Sequence, residues 1–386
     1  MNIFSYFDQV NEKICRSIQN RSTFGYSIKI NWKNSTVHEL KQYDLALIGI
    51  SEQKTENPNN ISSTPDKIRQ KLYNLYSIAK KPSIIDLGNL RHGKTEKDTL
   101  IALRDIICEL YNHNILPVII GGTQELAYAC YLAYEKMEQT INIVSVDSRL
   151  NISEQDNEDC HFSYLSKIAG QQKNFLFNYA NIGYQTYLVS LEETDKMNKL
   201  MFDSYRLGSL RPNIEEAEPV IRDSDIMCFD IHAVRQSEAP AQKNPSPNGL
   251  YCEEACSIAR YAGLSDRLSC FNIIGIEPDL DINNMTTHLA AQIIWFFIEG
   301  FYYRKNDYPF TDIDQYTKFI VTLNNISHDL TFYKSNASGR WWIEVTGGNK
   351  NEKKCNLFIA CSYTDYQKAC NQEIPDRWWK TYQKIN

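Results

Sequence analysis

The chain has 386 residues, of which 42% are hydrophobic and 23% are charged, and its formal net charge is −6. This length exceeds what a single small core needs and suits one large α/β domain with an appendage. The acidic balance argues against nucleic-acid binding as the main function, so we expect no nucleic-acid partner.

The longest apolar stretch, residues 289–301, contains Gln292 and Glu299 and is too short to cross a bilayer. We interpret it as a buried helix and expect no membrane span. The first residues lack the basic and apolar pattern of a secretory signal, and the eleven cysteines follow no regular spacing. Because cysteines without a disulfide framework suit a reducing compartment, we expect the protein to be cytoplasmic.

Short apolar runs alternate with helical patterns from Asp44 to Phe301, which is typical of repeated βα units and a parallel sheet. A capping threonine and a proline at residues 64–65 open one helix, and Thr95 with Asp98 opens another. The predicted strands of this region are residues 45–50, 83–87, 116–120, 141–146, 180–183, 187–189, 225–230 and 271–276.

The pattern changes after the Tyr-Pro pair at residues 308–309. Strand-like runs follow at residues 318–323, 330–333, 340–345 and 357–361, and residues 336–339 (NASG) predict a hairpin turn. We therefore divide the chain into an N-terminal lead (1–40), an α/β domain (41–305) and a small, aromatic-rich C-terminal β appendage (306–386). We expect the appendage to dock on the α/β domain, and contact with a protein partner or a second copy of the chain is the alternative.

Polar residues cluster where three predicted strands end, which is where functional groups collect in doubly wound sheets. The clusters are residues 121–125 (GGTQE), 146–151 (VDSRLN) and 229–235 (FDIHAVR), and further polar stretches lie at 86–89 (DLGN) and 245–250 (PSPNGL). Their order and spacing resemble the motifs of the arginase–agmatinase–formimidoylglutamase (ureohydrolase) family over residues 40–303.

The resemblance implies an α/β fold with three αβα layers around a mainly parallel, arginase-like sheet. It also implies a hydrolase site in which six side chains hold two divalent ions, usually manganese, that activate a shared hydroxide. This chain departs from that ligand set. Its aspartates at 147 and 230 match the family's ligands, whereas the other motif positions are occupied by Gln124, Arg149, Asn151, His232 and Arg235.

Arginine carries five donors and no acceptor, so it cannot bind a metal ion. We expect the guanidinium groups of Arg149 and Arg235 to replace the two ions and to pair with Asp147 and Asp230. On this hypothesis the protein has no metal cofactor and is a catalytically inactive family member, a pseudoenzyme that acts by binding or scaffolding.

Three alternatives remain open beside this hypothesis. In the first, the chain is a formimidoylglutamase- or agmatinase-type C–N hydrolase with one manganese or zinc ion held by Asp147, Asp230 and His232, with Gln124 as an added ligand. In the second, the pocket binds an arginine-like or acidic metabolite without turnover. In the third, the two aspartates only cap their own loops.

Two further residues are candidates for catalysis on the strength of the resemblance. His161 lies near the position of the family's proton-shuttling histidine. The family's substrate-gripping glutamate aligns with Gly275, and Glu277 lies two residues later, so Glu277 could face the same side of a strand and replace it.

Overall fold

The structure is a computed structural model that describes residues 3–32, 40–51, 63–78, 83–152, 164–307, 313–324, 329–347 and 355–386. Within these ranges every helix is too short or too polar to span a lipid bilayer. Localisation and the predicted boundaries at residues 40 and 305 stay predictions.

Ten strands of the described chain form one central sheet. In chain order they are β1 (Phe7–Asp8), β2 (Lys29–Ile30), β3 (Leu45–Gly49), β4 (Ile84–Leu90), β5 (Leu116–Ile120), β6 (Ile141–Val146), β7 (Leu176–Tyr184), β8 (Asp203–Arg206), β9 (Ile226–Asp230) and β10 (Cys270–Ile274). The order across the sheet is β1-β4-β3-β5-β10-β9-β6-β7-β8, with β2 paired to β4. Among the described pairings of this central sheet, only the β1–β4 pair is antiparallel. The predicted parallel sheet is confirmed.

Thirteen α-helices surround this sheet and a second, smaller one in the described ranges. They are α1 (Glu12–Arg16), α2 (Phe24–Ser27), α3 (Thr64–Leu72), α4 (Glu96–Asn112), α5 (Glu125–Lys136), α6 (Tyr164–Ala169), α7 (Leu191–Lys199), α8 (Leu207–Leu210), α9 (Ala217–Arg222), α10 (Cys252–Leu264), α11 (Met285–Phe301), α12 (Tyr363–Cys370) and α13 (Asp376–Ile385).

Both faces of the central sheet are covered, as a parallel sheet requires. Successive side chains of β3 alternate between the faces: Leu45 and Leu47 join the core formed with α3, α10 and α11, and Ala46 and Ile48 join the core formed with α4, α5 and α6. The predicted buried helix is α11, whose Phe297 ring stacks on Phe271 of β10 at 4.2 Å between centroids. The three-layer αβα prediction is confirmed.

The structure corrects one predicted strand and adds three to the central sheet that were not predicted, β1, β2 and β8. Residues 187–189 are not a strand, because β7 already runs to Tyr184 and the chain then turns through a short 3-10 helix, Thr186–Leu188. The edge strand β8 was not predicted, since its sequence DSYR lacks an apolar run.

The C-terminal region forms a separate four-stranded antiparallel sheet of β11 (Tyr316–Thr322), β12 (Asp329–Ser335), β13 (Trp341–Gly347) and β14 (Cys355–Cys361). The predicted hairpin turn joins β12 to β13, and Gly339 in it has a φ of +74°. Helices α12 and α13 were not predicted. They pack against this sheet, where the indole of Trp378 donates a hydrogen bond to the carbonyl oxygen of Glu344 at 3.0 Å.

The appendage docks on the α/β domain through a buried arginine of α9. The guanidinium of Arg222 lies 4.3 Å from the ring centroid of Trp342, and its Nη2 donates to the carbonyl oxygens of Trp341 and Cys361 at 3.0 and 3.2 Å. Lys380 of α13 adds an ion pair with Asp203 of β8 at 2.7 Å. Contact with a protein partner stays a prediction.

A buried ion pair joins α3 to the sheet. The guanidinium of Arg69 donates two hydrogen bonds to the carboxylate of Asp86, at 2.8 and 2.9 Å, and both side chains are fully buried. The hydroxyl of Tyr73 and the amide of Gly88 also donate to this carboxylate, at 2.7 and 2.9 Å. Removal of the arginine alone would leave a buried carboxylate without its counter-charge.

We expect Arg69→Met to lower the free energy of unfolding by about 3–5 kcal/mol, because it leaves Asp86 charged and buried. Arg91→Met is the control: Arg91 pairs with Asp8 at 2.8 Å, but both side chains are more than half exposed, so its loss should cost about 0–1 kcal/mol. Urea denaturation followed by circular dichroism measures both. Equal destabilisation by the two variants would contradict the assigned role of Arg69.

Candidate functional site

The candidate site lies at the carboxyl edge of four adjacent strands. Strands β5, β10, β9 and β6 are neighbours in the sheet, so the loops that follow them meet at one edge. The loop after β5 turns sharply at Gly121, which has a φ of +87°. A Cβ atom there would lie 2.5 Å from the carbonyl oxygen of Ile50, so only glycine fits this turn.

Two buried aspartates are joined by one amide. The side-chain Nε2 of Gln124 donates to Oδ2 of Asp147 at 2.8 Å and to Oδ2 of Asp230 at 2.7 Å. The two aspartates are only 1% and 2% exposed. The side-chain Oε1 of Gln124 is buried and has no hydrogen-bond partner among the described residues.

The remaining donors to the two carboxylates also come from the loops themselves. Asp147 accepts a hydrogen bond from the backbone amide of Arg149 at 3.0 Å and one from Nδ2 of Asn151 at 2.7 Å. Asp230 accepts a hydrogen bond from the backbone amide of His232 at 2.8 Å, and Nδ1 of the same histidine lies 2.7 Å from Oδ1. Every carboxylate oxygen of the pair therefore has a donor.

The pKa values of the two aspartates are shifted in opposite directions. Burial, with the adjacent charge of Asp230, raises the pKa of Asp147 to about 7. Burial opposes ionisation of Asp230 as well, but the charge and hydrogen bonds of His232 outweigh it and hold the pKa of Asp230 below its ordinary value.

The surroundings of His232 favour the protonated form of its imidazole. Its Nδ1 faces the carboxylate of Asp230, and its Nε2 lies 3.0 Å from the carbonyl oxygen of Lys243, which can only accept. Burial acts to lower the pKa of His232, but the charge of Asp230 and their hydrogen bond outweigh it and raise this pKa to about 9. Both ring nitrogens are thus donors.

The predicted pairing of arginines with the two aspartates is not observed among the described contacts. The guanidinium of Arg149 is exposed and donates to the carbonyl oxygen of Leu188 at 3.4 Å, and that of Arg235 stacks on the ring of Tyr251 at 3.7 Å from the centroid. The physical reason is that amide and imidazole donors already fill the carboxylate oxygens, so the guanidinium groups turn outward.

The two catalytic candidates have different outcomes. Glu277 is exposed and lies beyond the end of β10, so the two-residue period of a strand does not direct its side chain toward the site. Its backbone amide donates to the carbonyl oxygen of Ala241 at 3.0 Å, and its side chain has no assigned contact with the aspartates. His161 lies outside the described residues. Both roles stay predictions.

Sequence reasoning missed the part that Gly275 plays in the site. Its φ is +80°, and a Cβ atom at this position would lie 2.6 Å from Oδ1 of Asp230 and 3.0 Å from Nδ1 of His232. The imidazole therefore occupies the space that a side chain at 275 would need. The signal in the sequence is a glycine directly after a buried apolar strand, because glycine at such a position often marks a place where another group packs closely against the backbone.

Comparison with known proteins agrees with this fold and site. A model of the Arginase family matches residues 43–299, and the chain therefore belongs to the arginase family. The chain is similar to the formimidoylglutamase of Staphylococcus haemolyticus, with 25% identity over 266 residues that cover 66% of this chain and 85% of the relative. It is also similar to the formimidoylglutamase of Staphylococcus aureus strain MRSA252, with 24% identity over 243 residues, or 61% and 78% of the two chains.

Solved structures of the same family share the fold. Formimidoylglutamase from Bacillus subtilis aligns with a TM-score of 0.62 and 19% identity over 74% of this chain and 95% of its own. Trypanosoma cruzi formiminoglutamase with Mn²⁺ aligns with a TM-score of 0.60 and 15% identity over 70% and 97%. The agmatine ureohydrolase of Thermoplasma volcanium aligns with a TM-score of 0.55 and 20% identity over 74% and 96%.

Our expectation of no metal cofactor is wrong in the light of these relatives, because the formiminoglutamase structures contain Mn²⁺. That expectation depended on arginines that neutralise Asp147 and Asp230, and these arginines point elsewhere. The described residues contain no cluster of three or more histidine, cysteine, aspartate or glutamate side chains arranged around a metal position. The fit to an ion therefore depends on Gln124.

The unpartnered Oε1 of Gln124 shows how these residues could bind a metal ion. A half-turn of the amide would exchange its nitrogen and oxygen, and the carbonyl oxygen would then point at both aspartates. Three oxygen donors suit a hard divalent cation. The residues thus fit one ion, and they do not fit two because Arg149 offers no lone pair. His232 as a further ligand stays a prediction.

We expect Gln124→Glu to destabilise the metal-free protein by about 1–3 kcal/mol, because it sets a third carboxylate against Asp147 and Asp230 and removes their shared donor. Manganese should restore the loss, since the new carboxylate is a charged oxygen ligand. Gln70→Glu adds the same charge at an exposed position of α3 and is the control.

Thermal unfolding with and without MnCl₂ measures this change. If Gln124→Glu and Gln70→Glu melt at the same temperature without metal and respond equally to manganese, Gln124 does not connect the two aspartates in the way described.

Proposed function

We propose that this protein hydrolyses a C–N bond of a linear amidine, as the names of its formimidoylglutamase relatives indicate for them, with a reduced site that holds a single divalent ion. The observation that carries the proposal is the approach of Asp147 and Asp230, whose Oδ2 atoms both lie within 2.8 Å of one nitrogen of Gln124. Family membership and the position at the carboxyl edge of the sheet support it.

Asp147, Asp230 and the carbonyl oxygen of Gln124 would hold the ion. When bound there, a divalent ion would acidify a water molecule and stabilise negative charge that develops on the substrate. The chain itself keeps the ligands oriented. The amides of Arg149 and His232 fix one oxygen of each aspartate and leave the two Oδ2 atoms facing each other through Gln124.

Burial contributes to the chemistry in a second way. Both aspartates are almost fully inaccessible to solvent, so a charge between them interacts more strongly than it would in water. The imidazolium of His232 holds a proton on Nδ1, 2.7 Å from Asp230, and this contact orients that carboxylate. A proton shuttle at His161 stays a prediction.

A second candidate function is ligand binding without turnover, which was expected from the altered ligand set. One observation favours it: the loops of the site supply a donor to every carboxylate oxygen, so the pocket has a stable geometry of its own. Metal analysis and turnover together separate the two candidates.

We expect protein purified with MnCl₂ to hold about one manganese ion per chain and to release ammonia, formamide or urea from formimino or guanidino compounds. Removal of the ion by dialysis should abolish release. The double variant Asp147→Asn, Asp230→Asn should lose the ion and lower turnover at least about 100-fold, because it removes both charged ligands. Asp195→Asn, exposed on α7, is the control and should match the parent.

Elemental analysis measures the bound manganese, and colorimetric assays for ammonia, formamide and urea measure turnover. Metal-free protein that turns over at the full rate, or protein that neither holds manganese nor acts on any compound of the panel, would overturn the hydrolase proposal. The second outcome would leave ligand binding as the function.

A further inference from the structure

The outer edge of β11 in the appendage is a regular strand edge with little protection against pairing. β11 lies at the end of the four-stranded sheet and pairs with β12 over seven consecutive residues, Tyr316–Thr322, without a bulge. The strand contains no proline, and Lys318 is its only charged residue. Charges, prolines and bulges are the devices with which proteins prevent pairing at an exposed edge, so β11 is poorly protected.

The hydrogen-bonding pattern shows which backbone groups of β11 face outward. The amide of Asn336 donates to the carbonyl oxygen of Gln315 at 2.9 Å, and this pair continues the register of β11 with β12. Because residues of an edge strand alternate between bonded and outward positions, residues 317, 319 and 321 bond to β12. The backbone groups of Lys318 and Ile320 therefore point away from the sheet, and the described residues provide no strand beside them.

The opposite edge of the same sheet is closed by other parts of the chain. At Ala360 of β14, the backbone amide donates to Oδ2 of Asp223 at 2.7 Å, and the carbonyl oxygen accepts from Nη1 of Arg377 at 3.4 Å. Asp223 follows α9, and Arg377 belongs to α13. The two edges therefore differ, since side chains satisfy the outward groups of Ala360 and the described structure covers those of β11 with no strand.

The side chains of β11 lie on two faces of the sheet. Phe319 packs against the buried side, where its ring centroid lies 5.0 Å from that of Trp341. Ile320 lies on the other face and is 60% exposed, although burial stabilises a β-branched apolar side chain. The ammonium of Lys318, on the same face, lies 5.8 Å from the ring centroid of Tyr333. Outward backbone groups thus lie beside an exposed apolar side chain.

The sequence of this edge is complementary to a second copy of itself. When two β11 strands run antiparallel about a two-fold axis at Phe319, Lys318 lies opposite Ile320 of the second copy. Both residues have outward backbone groups, so the pairs exchange hydrogen bonds in both directions. The two Phe319 side chains meet across the axis on one face, and the methylene groups of Lys318 cover Ile320 on the other.

The neighbouring registers are less favourable. A shift by one residue sets outward groups opposite groups that already bond to β12. An axis at Lys318 sets the two lysines opposite each other, and like charges in that position destabilise a pair. An axis at Ile320 requires the backbone of Thr322, whose carbonyl oxygen accepts a hydrogen bond from Nε2 of Gln372 at 3.3 Å. The axis at Phe319 needs only residues 317–321 and avoids these conflicts.

We propose that the outer edge of β11 is an association surface for a second copy of this chain, and that the two appendage sheets join about a two-fold axis at Phe319 into one continuous sheet. Such a surface is isologous, because the same residues contribute from both copies. A contact of this small size is typical of reversible association, so we expect dimerisation in the micromolar range. It requires neither a metal ion nor the proposed hydrolase activity.

Ile320→Pro tests the hydrogen bonds of the edge in the full chain. Proline removes an outward amide that β12 does not use, so the sheet tolerates it. The paired strands lose half of their central hydrogen bonds, and we expect dimerisation to weaken at least about tenfold. Ile320→Val keeps the amide and the β-branched side chain and is the control. Sedimentation velocity over a range of concentrations measures both, and any association through the α/β domain is common to all variants.

A pair of charged variants tests the register. Ile320→Glu sets a carboxylate opposite Lys318 of the second copy, whereas Ile320→Lys sets an ammonium there, and each change acts at both symmetric positions. We expect the glutamate variant to dimerise at least about tenfold more tightly than the lysine variant at low salt. A contact of Ile320 with an unrelated apolar surface would be weakened by both variants alike.

Hydrogen exchange followed by mass spectrometry locates the contact, and circular dichroism checks that each variant is folded. The amides of Lys318 and Ile320 should exchange more slowly as the parent protein is concentrated. The proposal is overturned if the parent and Ile320→Pro sediment alike at every concentration, or if the glutamate and lysine variants dimerise equally. Protection of β11 that does not depend on protein concentration would also overturn it, because the cover would then come from the same chain.

Discussion

The hydrogen bonds from Gln124 to Asp147 and Asp230 are the interaction on which the site depends. They bring two buried carboxylates from non-adjacent points of the sequence to one nitrogen atom, and they do so without a counter-charge from either arginine. The amide of Gln124 can adopt two orientations in this geometry. In one its nitrogen donates to both aspartates, and in the other its oxygen faces a cation held between them. The arginase-family fold places Gln124 between the two aspartates. Rotation of its amide group alone separates the orientation without a metal ion from the orientation that could bind one.

The sequence could predict the architecture because its signals are local and repeated. Apolar runs such as Leu116–Ile120 and Ile141–Val146 match strands β5 and β6 residue for residue, and Thr95 with Asp98 forms the expected capping box of α4. The short edge strand β8 and helices α12 and α13 were missed. Their sequences are polar or rich in tryptophan and tyrosine, and tertiary packing decides their conformation.

The site was predictable as a set of residues and not as a set of contacts. The motif positions from Gln124 to Arg235 do meet at one edge, yet the directions of Arg149 and Arg235 were wrong. Each aspartate accepts a hydrogen bond from the backbone amide two residues later, a turn that depends on loop conformation. Counting charges along the sequence cannot show that these amides occupy the oxygens first.

Gly275 ties the backbone after β10 to the position of one carboxylate in this site. A Cβ atom at position 275 would lie 2.6 Å from Oδ1 of Asp230 and 3.0 Å from Nδ1 of His232, and the φ of +80° favours glycine whatever the space. A smaller residue at position 232 would relieve only the looser of these two contacts. A protein engineer who places a family-like glutamate at 275 would therefore have to move the backbone or Asp230 itself, and a change at Asp230 would remove one of the two carboxylates that Gln124 joins.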